Sequence, residues 1–218
     1  LVGDSMAKSL SDGFVQASQA QGLSSYVFSF PGCAFLISDS PFTATNDCAA
    51  WRANVMSALQ QLRPNVLVIA NLNSLYVEVP FPEWTLSNTE LAWGNEVKRT
   101  LEGLSELQAQ VIMVQPPPQF EYDLRYDLSL LWPNSVKESR DVVVARREAI
   151  NTIEQNAVAG IPFVQPLVSL TDNFCNAEVC DPQVDGVFMF EDDDHLSVDG
   201  SKLVAPQLQE AIGRALGL

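Results

Sequence analysis

Ser5 and His195 are the two residues of this chain that could do chemistry together. His195 is the only histidine in 218 residues. One histidine cannot build a histidine metal cluster, but it is all that a Ser-His-Asp arrangement needs. The segment Leu1-Val2-Gly3-Asp4-Ser5-Met6 offers a serine where an apolar run gives way to a helical pattern. At such a junction a hydroxyl projects from the sheet edge, and the helix N-terminus favours developing negative charge. The segment Asp192-Asp193-Asp194-His195-Leu196-Ser197 offers a base with a carboxylate three residues before it. Asp192 is predicted to orient the imidazole and stabilise its charged form. Asp193 and Asp194 are expected to diverge from the ring, because side chains adjacent in sequence meet a ring nitrogen poorly. Each motif also has a plain reading. Ser5 could simply cap a helix, and the acidic run could be a solvated loop. A hard-cation site is also conceivable for clustered carboxylates, but the Asp192-x-Asp194 spacing meets Leu196 next, so no metal is expected.

The elements that must position these residues alternate between short apolar runs and longer amphipathic ones, the pattern of an α/β fold. Strands are predicted at Leu1–Val2, Tyr26–Phe30, Val66–Ala70, Val111–Val114 and Phe163–Gln165. Each is apolar on both faces, as parallel strands covered by helices are. Helices are predicted at Met6–Gln21, Ala49–Leu62, Asn88–Glu106, Val142–Val158 and Ser201–Leu216. In Ala49–Leu62 the apolar residues Trp51, Val55, Met56, Leu59 and Leu62 recur near helical spacing, and Pro64 stops the run. The expected architecture is a three-layer α/β/α sandwich around a parallel sheet of about five strands. Two irregular segments, Val77–Thr85 (with Pro80, Pro82 and Trp84) and Gln115–Ser139 (with Pro116-Pro117-Pro118), leave the carboxyl ends of strands. Open α/β sheets place their ligands there, which makes both segments candidates for substrate contact.

The length fits one domain spanning 1–218 with a sizeable core. Hydrophobic residues form 47% of the chain and charged residues 18%, which argues against a disordered chain. With 12 Lys+Arg against 27 Asp+Glu, the net charge is −15. That field repels nucleic-acid phosphates and argues against nucleic acid as a partner. No run of about 18 apolar residues marks a bilayer span. Leu1-Val2 reads as the tail of a strand with no initiator Met, so the domain is expected to be excised from a longer protein. Cys33, Cys48, Cys175 and Cys180 allow three pairings. The simplest is local, Cys33–Cys48 and Cys175–Cys180, and would place the chain in an oxidising compartment. Reduced buried thiols are the alternative. Zinc fits poorly, because Cys175-x4-Cys180 has no histidine nearby.

Gly3-Asp4-Ser5 and Asp192-x-x-His195-Leu196-Ser197 resemble the first and last motif blocks of the SGNH (GDSL-like) hydrolase superfamily. Its glycine block resembles Gly32 in Phe30-Pro31-Gly32-Cys33. Its Gly-x-Asn-Asp block resembles Asn71-Leu72-Asn73-Ser74, with Asn71 in place of glycine, Ser74 in place of aspartate, and Asn73 retained. A narrower resemblance covers essentially the whole chain. Gly32-Cys33, Cys48-x-x-Trp51-Arg52, Ala70-Asn71-Leu72-Asn73-Ser74-Leu75-Tyr76 and the Cys175/Cys180 pair are similar to SGNH domains fused behind integral-membrane acyltransferases, often of the acyltransferase-three family.

The resemblance implies an SGNH/flavodoxin-like fold and a cofactor-free Ser5-His195-Asp192 triad. It implies an oxyanion hole from the Ser5 and Gly32 N–H groups and the Asn73 amide, with Asn71 as the competing side chain. It further implies an acyl donor, a carbohydrate or glycolipid acceptor, and an N-terminal membrane acyltransferase domain in the same polypeptide. The function so implied is extracytoplasmic O-acyl transfer, most often O-acetylation of an envelope glycan, by a domain tethered to the membrane. A secreted esterase or carbohydrate deacetylase of the same fold, or a non-catalytic glycan-binding domain, are the alternatives.

Overall fold

The computed structural model describes residues 1–36, 46–77, 86–121 and 136–218. Strand β1 (Val2–Gly3) runs into helices α1 (Ser5–Ser9) and α2 (Ser11–Ala20). Then come β2 (Phe28–Ser29), α3 (Asn46–Leu62), β3 (Val66–Ala70), α4 (Asn73–Val77) and α5 (Leu86–Gly103). A 3-10 turn at Leu104–Leu107 leads to β4 (Gln110–Val114). The second half holds β5 (Glu138–Ser139), α6 (Arg140–Ala145), α7 (Glu148–Val158), β6 (Val179–Cys180), β7 (Gln183–Val184) and β8 (Val187–Phe188). It closes with α8 (Val198–Leu203) and α9 (Ala205–Leu216).

The central sheet is parallel, in the order β2-β1-β3-β4. Alternate residues of β3 and β4 enter opposite cores, as the two-residue period of a strand requires. Val68, Ala70, Ile112 and Val114 pack with Met6, Leu10, Phe14, Leu208 and Ile212 from α1, α2 and α9. Leu67, Ile69, Val111 and Met113 pack with Val55, Leu59, Trp93, Val97 and Ile150 from α3, α5 and α7. The molecule is thus the three-layer sandwich expected from the sequence.

The fifth predicted strand, Phe163–Gln165, forms only part of a ladder. Val164 bridges Val111 and Val168 bridges Val114, both parallel. Pro162 and Pro166 flank this run and have no N–H to donate, so the pairing is intermittent. Three long predicted helices are each two helices. Met6–Gln21 breaks at Leu10, and Val142–Val158 breaks at Arg146-Arg147. Ser201–Leu216 breaks at Val204, because Pro206 near the start of α9 offers no N–H with which α8 could continue. The loop residues 78–85 and 122–135, singled out as candidates for substrate contact, lie outside the described residues.

Two glycines let the site segments approach each other. Gly3 has φ +152°, and a Cβ there would lie 1.8 Å from the Ala70 carbonyl oxygen. Only glycine lets β1 meet β3 so closely just before Ser5. At Gly13 in α2 a Cβ would lie 1.9 Å from the Ser201 carbonyl oxygen. Its N–H donates to Ser201 Oγ at 2.8 Å. This contact fastens the helix that follows Ser5 to the helix that follows His195.

Both cysteine pairs are disulfides, Cys33–Cys48 across 15 residues and Cys175–Cys180 across 5. Chain-entropy arithmetic makes the longer loop worth about 3 kcal/mol and the shorter about 2 kcal/mol. Urea unfolding of the Cys33→Ser/Cys48→Ser variant is therefore expected to show the larger loss, with Cys175→Ser/Cys180→Ser losing less. The reverse order would mean that native-state contacts, not loop closure, set the value of these bridges.

Candidate active site

The site forms where the sheet order reverses. The chain leaves β1 in one direction and β3 in the other, and a crevice opens between their carboxyl ends. Asp4 fills the base of that crevice. It is fully buried, and its side chain caps α1 by accepting the Met6 N–H at 2.9 Å. Both carboxylate oxygens also accept the Leu72 N–H, at 3.1 and 2.9 Å. The Tyr76 hydroxyl donates to Oδ2 at 2.8 Å. Burial pushes the Asp4 carboxyl above its usual range, and these hydrogen bonds pull it back. Because Asp4 is the cap, Ser5 is the first residue of the helix and its hydroxyl is left for other work. The alternative of Ser5 as a mere cap is thereby settled in favour of its neighbour.

Ser5 Oγ lies 2.8 Å from His195 Nε2. On the other side of the ring, Nδ1 lies 3.0 Å from Asp192 Oδ2 and 3.1 Å from Oδ1. Asp192 Oδ1 also accepts the backbone N–H groups of Asp194 and His195, at 3.1 and 2.6 Å. One carboxylate therefore shapes the loop and faces the ring. With Nδ1 protonated against carboxylate, Nε2 is the acceptor for the serine proton.

Asp194 departs from the sequence expectation. Its Oδ1 lies 2.9 Å from His195 Nδ1, so two carboxylates flank one ring nitrogen. The donor direction favours Asp192, whereas the nearly buried Asp194 contributes most to the basicity of the ring. Asp194 raises the His195 pKa to about 9, burial opposes it, and Asp192 adds to the rise. The chain reverses tightly at this loop, with the Glu191 N–H on the His195 carbonyl at 2.8 Å, and that turn brings Asp194 back to the ring. Asp193 does point away, as expected. Its carbonyl accepts the Phe120 N–H at 2.9 Å, and its carboxylate faces Gln119 Nε2 at 3.4 Å. Donor atoms of Asp192, Asp194 and His195 lie within 4.8 Å of one another; here they form a hydrogen-bonded set.

The loop is held from both ends. Phe190 and Leu196 bridge across it, and Ser197 caps α8 through the Gly200 N–H at 3.1 Å. Phe190 packs edge-on to Phe120 and Phe174. The Cys175–Cys180 bridge steadies the Phe174 segment behind it.

The three predicted oxyanion donors all follow strands that end at this edge. Ser5 contributes an N–H in the first turn of α1, where no intrahelical partner exists. Gly32 is exposed, with φ +73°, in a turn closed by the Cys33 N–H on the Phe30 carbonyl at 3.0 Å. Its own N–H has no partner among the described residues. Asn73 opens α4 and is fully buried. Its amide faces Glu154 closely enough to favour the carboxylate form, yet falls short of hydrogen-bond geometry. Asn71, the competing residue, accepts the Phe35 N–H through Oδ1 at 3.0 Å. Sequence reading missed Asp4 as the anchor and Asp194 as a ring partner.

A cavity of about 360 Å³ opens beside Ser5 and His195, walled by Lys8, Ser9, Ser11, Asp12 and Glu191. A second cavity, about 380 Å³, lies at the amino edge of the sheet around Leu1, Tyr26 and Leu62 and touches none of these residues.

A family model described as "SGNH domain (fused to AT3 domains)" matches residues 1–210. Among curated proteins, no sequence matches this chain at a significant level. Among solved structures, the periplasmic domain of a lipopolysaccharide acetyltransferase from Salmonella ser. Paratyphi A is similar in fold. The TM-score is 0.65 at 15% sequence identity, over 100% of this chain and 82% of that one.

As the only histidine, His195 gives a single imidazole signal in a proton NMR titration. Its midpoint is expected near 9. Asp194→Asn should lower it by about one unit or more, and Asp193→Asn should move it less. An unchanged midpoint in Asp194→Asn would leave Asp192 as the sole source of the basicity.

Proposed function

The chain belongs to the family of SGNH domains fused to AT3 domains, and on that premise we propose that it is a serine-dependent O-acyltransferase. Ser5 is the nucleophile, His195 the general base and Asp192 the orienter. The observation that carries this reading is the continuous hydrogen-bonded line from Asp192 through His195 to Ser5 Oγ. In the first half-reaction His195 Nε2 takes the Ser5 proton while Oγ attacks the acyl carbonyl. The tetrahedral oxyanion is held by the N–H groups of Ser5 and Gly32 and by the Asn73 amide. The imidazolium returns its proton to the leaving oxygen as the donor's C–O bond breaks, leaving an acyl-Ser5 ester. In the second half-reaction an acceptor hydroxyl loses its proton to His195 and attacks that ester; the acyl C–Oγ bond breaks, and the imidazolium returns the proton to Ser5 Oγ.

The acceptor proposed is a sugar or glycolipid hydroxyl, and the acyl group is most simply acetyl. The hydroxyls and carboxylates of the adjoining cavity suit a polyhydroxyl ligand. An N-terminal membrane acyltransferase domain in the same polypeptide is the proposed partner that delivers the acyl group. Two disulfides and the family's fusion to AT3 domains fit an extracytoplasmic, membrane-tethered location.

Ser5→Ala and His195→Ala are expected to lower acyl-ester turnover by about 10³-fold or more while leaving circular dichroism unchanged. A serine-directed phosphonate should label Ser5, visible by mass spectrometry. Asn73→Ala should cost more rate than Asn71→Ala if Asn73 is the oxyanion donor. Incubation of a labelled acetyl donor with and without a carbohydrate acceptor decides the second step. Label on sugar supports transfer; free acetate alone makes the domain an esterase, and no Ser5 labelling at all makes it a binding module.

A further inference from the structure

Helix α7 and the residue that caps it bury two charged side chains where an apolar stripe should be. Ile150 and Ala157 are buried on the face turned to the core, and Glu154 is buried between them. Arg147, the residue before the helix, is buried on the same face, two turns from Glu154. Apolar residues would pack here at no electrostatic cost, whereas burying two ions costs several kcal/mol each before their attraction is counted. Packing alone does not account for them.

Their contacts lead to the catalytic loop. Glu154 accepts the Trp93 indole N–H at 3.0 Å. The Arg147 charge and the nearby Asn73 amide also favour its ionised form, although burial raises its pKa to about 7. At the other end, Arg147 Nη2 lies 3.5 Å from Asp194 Oδ2, with both side chains nearly inaccessible. Asp194 then presents Oδ1 to His195 Nδ1 at 2.9 Å. The neighbouring Arg146 turns outward to Glu138 instead. Asp194 stands beside two more carboxylates, Asp192 and Asp193, in a chain of net charge −15. Without a buried cation, like-charge repulsion would drive it from the ring towards solvent.

We propose that Arg147, with buried Glu154 as a countercharge on the same face, is a positioning residue that holds Asp194 against the imidazole of His195. The proposal deepens the reading of His195 as the general base and rests on it. The groups facing His195 are Asp192 and Asp194 from its own loop, Ser5 and buried Asp4 from the end of β1, and Arg147 from α7 beyond Asp194. Lys8, Asp12 and Glu191 stand further out in the cavity wall.

The test uses the sign of a shift. Removing a cation near an imidazole raises the imidazole pKa by simple electrostatics. Releasing Asp194 from the ring removes its largest source of basicity and lowers it. In an NMR titration of the intact chain, Arg147→Gln is expected to lower the His195 midpoint by about one unit, a tenfold loss of proton affinity. Arg147→Lys should restore part of that loss and keeps the test alive if Arg147→Gln fails to fold. A rise or no change in the midpoint of whichever variant folds overturns the proposal. Measured above both midpoints, where the ring is neutral, acyl-ester kinetics should show kcat falling with KM little changed, and the midpoint of the pH–rate profile should move down with the His195 titration; equal changes in kcat and KM would overturn a positioning role.

Glu154→Gln tests the countercharge. Because the folded pKa of Glu154 is raised, its contribution to stability is full below about 4.5 and is lost as pH rises through about 7. The neutral variant should therefore melt no lower than the parent above pH 7, while its His195 midpoint still falls. A parent-like midpoint in Glu154→Gln overturns the countercharge role. The NMR readout needs no turnover. A lowered midpoint in Arg147→Gln together with full activity in Ser5→Ala would sink the reading of Ser5 as nucleophile and leave the positioning one standing.

Discussion

The carboxylate of Asp4 is the interaction on which the site depends. It lies between the ends of β1 and β3, where an open sheet leaves backbone N–H groups unpaired, and it satisfies the N–H groups of Met6 and Leu72 together. Each bond fixes a different part of the active edge. The Met6 bond starts α1 and presents Ser5; the Leu72 bond fixes the turn that carries Asn71 and Asn73. The Tyr76 hydroxyl completes the set, and its ring stacks on Trp93 with centroids 5.3 Å apart. Trp93 in turn donates to Glu154. A short acidic side chain at a strand end is thereby connected to the helical layer behind the site. A buried carboxylate needs several donors to offset its desolvation, which is why this one can organise so much backbone.

The second organising force is electrostatic repulsion held in check. The loop from Glu191 to Asp194 concentrates negative charge around a single imidazole, and the imidazolium is favoured accordingly. Burial opposes that preference, but the two carboxylates on Nδ1 outweigh it. The result is an imidazole whose charged form is favoured near neutrality, so the proposed general-base role would improve towards alkaline pH. Aromatic packing, a disulfide-braced segment and the α2–α8 contact keep the loop from relieving its repulsion by moving outward.

Much of the architecture was legible in the pattern of residues. The apolar runs Val66–Ala70 and Val111–Val114 could only be buried parallel strands, and the structure puts them side by side. The long helical patterns were legible as amphipathic stretches but not as broken helices. Backbone departures at Leu10 and Arg147 follow from how each half packs, which local spacing does not record. The fifth strand was visible as an apolar run, yet its flanking prolines limit the hydrogen bonds it can make.

Residue types and short spacings set out the chemical cast. It contained one histidine, a serine at a strand-to-helix junction, a carboxylate three residues before the base, and four cysteines whose local pairing is the observed one. These follow from residue type and short spacing, which are local properties. How those groups meet depends on the packed fold. It brought Ser5 to His195 across nearly the whole chain, folded Asp194 back to the ring against the expectation that it would diverge, and buried Arg147 and Glu154 behind it. Asn73 came to lie buried, with its amide near Glu154. The physical reason is that a carboxylate's role depends on which donors and charges surround it in space. Those neighbours come from β3, α4 and α7, elements that sequence distance keeps apart and only the packed sheet brings together.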